Sequence, residues 1–186
     1  MPDDYIRCFV ALAPDSATRQ RLQALPRMGR ARPVLPEDLH LTLAFLGDLD
    51  AERAHALARA LPPLATAVPT LEADGLALWP TPQRARVIVA SYVAAPEVVR
   101  MHEQVVALGV DLGIDAEARR YRPHITVARL PRTLRVMPQQ ALDSVEFSSG
   151  PATFTHLGLY ARAAEGSGQR YQALIEMPLP NGAASP

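Results

Sequence analysis

Apolar positions along the chain fall into two kinds of run. Short, nearly continuous stretches at residues 5–12, 39–45, 71–79, 84–92, 124–128, 153–162 and 170–177 have strand length, and most are bounded by Pro, Gly or polar residues. Residues 144–148 read as one more. Three longer segments carry apolar residues at helical spacing. The first opens at Pro14-Asp15-Ser16 and runs to about residue 25, with Leu22 and Leu25 on its stripe. The second covers roughly residues 51–61, capped by Asp48-Leu49-Asp50 and stopped by Pro62-Pro63. The third begins at Pro96 and reaches about Gly113, with Val98, Met101, Val105 and Leu108 in step. Pro80-Thr81-Pro82-Gln83 reads as a hairpin turn, residues 26–36 as a loop and residues 181–186 as a disordered tail.

Helices alternate with strands at first, and the C-terminal part is all strand. That order predicts an α+β fold with antiparallel pairing, not a doubly wound parallel sheet. The expected architecture is bilobal, with two antiparallel β-sheets and flanking helices around a central cleft. No long linker interrupts the chain, so residues 1–186 are read as one domain of two interleaved lobes with an approximate internal duplication.

Two of the strands are alike. His40-Leu41-Thr42-Leu43-Ala44 returns as His124-Ile125-Thr126-Val127-Ala128, and the strand is expected to close at Gly47 after the first copy. Strict alternation places His40, Thr42 and Ala44 on one face and Leu39, Leu41, Leu43 and Phe45 on the other, with the same division in the second copy. Core packing would put apolar residues at the His and Thr positions. Each polar face offers an imidazole and a hydroxyl beside a small alanine, which leaves room for a ligand. Two imidazoles in one cleft can take a proton at one end of a reaction and return one at the other, while hydroxyls donate to phosphate oxygens. Phosphoester hydrolysis is the natural use.

Composition narrows this further. The formal net charge is zero, so any basic patch is local, and all 19 basic residues are arginine. The absence of lysine excludes a lysyl-nucleotide intermediate, a Schiff base and a Walker-type phosphate loop. Arginine instead supplies paired donors to phosphate. The single cysteine, Cys8, forms no internal disulfide and reads as a core residue. Neither motif contains a carboxylate or thiol, and hydroxyls are poor zinc ligands, so no metal is expected. A zinc site and a non-catalytic module that binds a nucleotide or RNA end are the rival readings. His55 and His102 read as surface residues of helices, Trp79 as a core or rim residue, and Arg7 as either a surface charge or a cleft residue. No apolar run approaches the roughly 20 residues of a membrane span, and the N-terminus has no basic region before an apolar core, which predicts a cytoplasmic protein without membrane contact.

The segments Leu39-His-Leu-Thr-Leu-Ala-Phe-Leu-Gly47 and Arg122-Pro-His-Ile-Thr-Val-Ala-Arg129, with the strand Arg7-Cys-Phe-Val-Ala-Leu12, resemble the 2H phosphoesterase superfamily. Within it the chain is most similar to the bacterial and archaeal RNA 2′,3′-cyclic phosphodiesterases, long called 2′-5′ RNA ligases. The resemblance spans nearly the whole chain and implies metal-free, cofactor-free hydrolysis of an RNA-terminal 2′,3′-cyclic phosphate to a 2′-phosphate, with reversible 2′-5′ joining. It implies His40 as proton donor, His124 as proton acceptor, and Thr42 and Thr126 as phosphate-oxygen donors. Arg129 matches a basic, substrate-binding position, although strict alternation puts it on the face opposite His124. Arg7 is a second candidate for substrate binding. The partner implied is an RNA 3′ end, tRNA fragments included, acted on by a monomer. A small cyclic nucleotide or an ADP-ribose cyclic phosphate is the alternative substrate.

Overall fold

The computed structural model describes residues 4–26, 30–115, 120–131, 142 and 150–180. The expected strand at 144–148 and the tail at 181–186 lie outside the described residues.

The elements follow from local signals. Strand β1 (Asp4–Pro14) leads into helix α1 (Ser16–Gln23), which starts where the Asp15 carboxylate accepts the Thr18 N–H at 2.7 Å. A two-residue strand β2 (Arg32–Pro33) precedes β3 (Leu41–Asp50). Helix α2 (Ala51–Ala60) is capped by Asp50, whose carboxylate accepts from the Arg53 N–H at 2.7 Å. Strands β4 (Ala73–Trp79) and β5 (Val87–Tyr92) form the expected hairpin. Helix α3 (Pro96–Asp111) begins with proline at its first position, where a missing N–H costs nothing. Strands β6 (His124–Arg129), β7 (Phe154–Arg162) and β8 (Tyr171–Pro178) complete the order.

All strand pairs are antiparallel, and the sheet order is β4-β5-β6-β3-β1-β7-β8, with β2 also on β6. The two sheets expected from sequence are therefore two arms of one hydrogen-bonded sheet. The arms meet at a single register pair, Leu41 opposite Ile125, both fully buried. The two motif strands are the ones that meet.

One sheet face belongs to the core. Cys8, Val10, Leu12, Leu41, Leu43, Ile88, Ala90, Ile125, Leu157 and Leu159 pack there with Leu22 of α1, Ala54 and Leu57 of α2, and Val98, Met101 and Val105 of α3. The helical residues recur at three- and four-residue spacing, as one buried stripe requires. The opposite face carries a smaller cluster, Phe9, Ala11 and Tyr160, with Tyr171 against it.

Alternation along the motif strands is not strict, and this corrects the sequence reading. Between the pairs Ala11/Thr42 and Val10/Ala44, β3 advances two residues while β1 advances one. Between Val89/Thr126 and Ile88/Ala128, β6 does the same against β5. Each motif thus contains a bulge after its threonine, and a bulge reverses which face the following residues take. Ala44 and Ala128, expected in the cleft, are core residues at 6% and 4% exposure. Phe45, expected in the core, is 54% exposed. The same reversal brings Arg129 to the cleft side.

Two further departures lie at the outer end of β3. The strand does not close at Gly47 but continues to Asp50, because Gly47, at φ +71°, absorbs another register shift against Cys8. Across from it Arg7 adopts φ +55°, and its N–H donates to the Asp48 carboxylate at 2.8 Å. Segment 26–36, read as loop, contributes β2, whose Arg32 pairs with Arg129 and Pro33 with Ala128.

Candidate active site

The sheet face away from the helices holds a cleft of about 480 Å³. Its lining includes all six residues singled out from sequence: His40, Thr42, His124, Thr126, Arg129 and Arg7. On the antiparallel register that Leu41/Ile125 sets, His40 falls opposite Thr126 and Thr42 opposite His124. The cleft thereby gathers both imidazoles and both hydroxyls. Arg7 is exposed and lines the cleft.

The two imidazoles sit in different surroundings. His40 is 9% exposed and lies among aromatic rings, with centroids of Tyr160 at 4.2 Å, Phe9 at 5.8 Å and Tyr171 at 6.4 Å. Its Nδ1 is buried without a hydrogen bond of good geometry. Burial lowers its pKa from 6.5 to about 4, and the favourable Asp38 backbone offsets only part of this. The His124 ring lies 4.2 Å from the Trp79 ring at a tilt of 42°, and the Arg122 guanidinium lies 5.0 Å from the same indole ring. The His124 Nδ1 is 2.8 Å from the Arg122 carbonyl. A carbonyl only accepts, so Nδ1 carries the hydrogen and Nε2 keeps its lone pair. Burial again lowers the pKa, ahead of the opposing Arg122 backbone bond and the Arg122 charge.

The His40 shift has a thermodynamic consequence. Its unfolded-state pKa is near 6.5 and its folded-state value about 4, so between these values the unfolded chain binds the extra proton. Stability is intact above pH 6.5, and this group removes up to about 3 kcal/mol as pH falls to 4. Denaturant unfolding of the wild type and His40→Gln from pH 7 to 4 should show a shallower acid loss in the variant. Equal slopes would mean that His40 is solvated in the folded protein.

Residues from β1, β7 and β8 complete the wall. The Asp38 carboxylate accepts the N–H groups of Arg170 and Tyr171 at 3.2 Å, drawing the start of β8 to the cleft. There the Tyr171 hydroxyl accepts from Arg129 Nη2 at 3.5 Å and from Arg170 Nε at 3.3 Å. Tyr160 donates to Glu176 at 2.7 Å. Cys8 lies on the floor, but its thiol donates to the Tyr5 carbonyl at 3.4 Å and burial pushes its pKa up to about 11. It is a core thiol, not a nucleophile. Past Asp38, Arg129 and Arg170 the cleft opens into a groove of about 800 Å³ that adds Arg32 and Arg162.

Sequence reasoning missed Phe9, Tyr160, Tyr171 and His102. Counting by twos from Arg7 does not place Phe9, because register shifts on both sides of Cys8 and the φ of +55° at Arg7 break the alternation there. Trp79, read as a core or rim residue, is half-buried against His124. His102 is not a free surface residue: its Nδ1 donates to the Leu43 carbonyl at 2.7 Å, and its ring stacks on Tyr121 at 4.3 Å. His55 is exposed, as expected.

The chain is similar to known phosphoesterases. The profile of the family described as LigT like Phosphoesterase matches residues 12–89, which include the first motif but not the second. An RNA 2′,3′-cyclic phosphodiesterase of Aeropyrum pernix is 30% identical over 128 residues, 63% of this chain and 73% of that protein. The crystal structure of E. coli LigT complexed with 3′-AMP superposes with a TM-score of 0.71 at 25% identity, covering 94% of this chain and 98% of that one. The crystal structure of a Thermus thermophilus protein gives a TM-score of 0.70 at 26% identity and the same coverage.

Proposed function

Since the chain belongs to the LigT-like phosphoesterases of the 2H superfamily and is a 2′,3′-cyclic phosphodiesterase, we propose that it opens the cyclic phosphate at an RNA 3′ end to a 2′-phosphate by paired histidine catalysis. The observation that carries this reading is the cleft lined by the imidazole and the hydroxyl of both motifs.

In-line displacement puts the attacking and departing oxygens on opposite sides of phosphorus, which one imidazole from each strand can serve. His124, with Nε2 unprotonated, takes a proton from the attacking water. The new P–O bond forms as P–O3′ breaks, and His40 delivers a proton to O3′. Thr42, Thr126 and Arg129 donate to the non-bridging oxygens as their charge grows. The same step with an RNA 5′-hydroxyl in place of water joins two ends through a 2′-5′ linkage, so reversible ligation follows from the chemistry.

No role in this scheme falls to a metal or nucleotide cofactor. Arg32, Arg162 and Arg170 line the groove beside the cleft, which favours a substrate with further phosphates over a small cyclic nucleotide or an ADP-ribose derivative. An oligonucleotide ending in a 2′,3′-cyclic phosphate should be converted to the 2′-phosphate at the same rate with and without EDTA. Activity that disappears on chelation and returns with zinc or manganese would replace this scheme with a metal-dependent one. A tight complex without turnover would make the chain a binding module.

A further inference from the structure

Among the described residues, the edge of β3 that faces away from β1 has no strand partner beyond Leu41, where β6 pairs with it. Two consecutive carbonyls at the bulge are satisfied there by side chains. The Tyr121 hydroxyl donates to Thr42 O at 3.3 Å, and His102 Nδ1 donates to Leu43 O at 2.7 Å. In a regular strand, successive carbonyls point to opposite edges, and a bulge lets both be reached from one side. The two donor rings are stacked, with centroids 4.3 Å apart and planes within 12°. Burial raises the Tyr121 pKa well above the usual phenol range, which keeps its hydroxyl a donor.

The two donors come from separate places. His102 belongs to the middle of α3, while Tyr121 lies just ahead of Pro123 on the approach to the second motif. Neither lines the 480 Å³ cleft, but both line a pocket of about 340 Å³ beside it that shares Thr42, Phe45 and His124. Tyr121 acts on the carbonyl of Thr42, whose hydroxyl lines the catalytic cleft, and His102 on the carbonyl of the next residue, Leu43.

Resting on the catalytic reading above, we propose that the stacked His102–Tyr121 pair is a positioning device for the first motif. By holding the carbonyls of Thr42 and Leu43 it fixes the bulge, and the bulge fixes how the Thr42 hydroxyl and the Phe45 ring enter the cleft. The pair also ties the first motif to the approach of the second.

Tyr121→Phe removes one hydrogen bond and keeps the stack, His102→Leu removes the other, and His102→Asn keeps a donor near the Nδ1 position. Tyr121→Phe and His102→Leu should each lower kcat roughly three- to thirtyfold, with KM changed less than threefold and partial recovery in His102→Asn. The deciding measurement is a double-mutant cycle with Thr42→Val. If the pair acts through Thr42, adding Tyr121→Phe to Thr42→Val should lower kcat less than twofold further. Effects that multiply in full, or unchanged kcat in both single variants, overturn the proposal. A wild type inactive on a 2′,3′-cyclic phosphate would sink the catalytic reading instead. The positioning role is then read from calorimetric titration with inorganic phosphate, where Tyr121→Phe and His102→Leu should each bind several-fold more weakly and an unchanged Kd overturns it.

Discussion

Replacing His40 by alanine is expected to lower kcat on a 2′,3′-cyclic phosphate by roughly a hundred- to ten-thousandfold, the range of a positioned acid or base, and replacing His124 should cost about as much. A substrate whose 3′ oxygen is sulfur distinguishes the roles, because a thiolate departs without being protonated. On that substrate His40→Ala should recover much of its rate and His124→Ala little. Rescue of the other variant would exchange the two assignments, and rescue of neither would refute the division into acid and base. The environments add a pH signature. Burial lowers both pKa values below 6.5, that of His40 to about 4, so the bell-shaped profile of kcat/KM should peak on the acidic side of pH 6.5. A bound phosphate anion favours the protonated imidazole, so the kcat profile should lie at higher pH than that of kcat/KM.

The second large effect concerns the hydroxyls. Thr42→Val and Thr126→Val should each reduce kcat by roughly ten- to a thousandfold, as removal of a donor to developing negative charge does elsewhere. Valine keeps the branched shape that suits a strand, so the fold should persist. Circular dichroism and thermal melts establish this before kinetics are compared. If kcat is unchanged in both variants, the threonines are ordinary strand residues and phosphate stabilisation must come from arginine and backbone groups.

Much of this site could be read along the chain because its signals are local. The paired His-x-Thr segments, the capping aspartates Asp15 and Asp50, and the apolar stripe of α3 each sit within a few residues of what they determine. The bulges could not be read this way. A strand with one extra residue has the same composition as a regular one, and the mismatch exists only against β1 or β5, far away in sequence. Counting by twos therefore put Phe45 in the core and left Arg129 on the wrong face. His102 was misread for a related reason: a histidine on a helix gives no sign that a strand carbonyl waits 59 residues away. Union of the two sheets through Leu41 and Ile125 is likewise a long-range contact, while the aromatic wall around His40 gathers from three strands.

Up to the alanine, the two motifs are interchangeable, and a cleft built of them alone would look the same after its halves were exchanged. Such a site would have no means of telling one bridging oxygen of an ester from the other, since either orientation would meet an equivalent imidazole. The residue after each bulge breaks that equivalence. At otherwise equivalent positions Phe45 brings a neutral ring and Arg129 a permanent cation, so the two motifs offer the cleft unlike neighbours. A substrate with its own asymmetry of charge is then held one way round, so the symmetry of the scaffold need not pass to the reaction it supports.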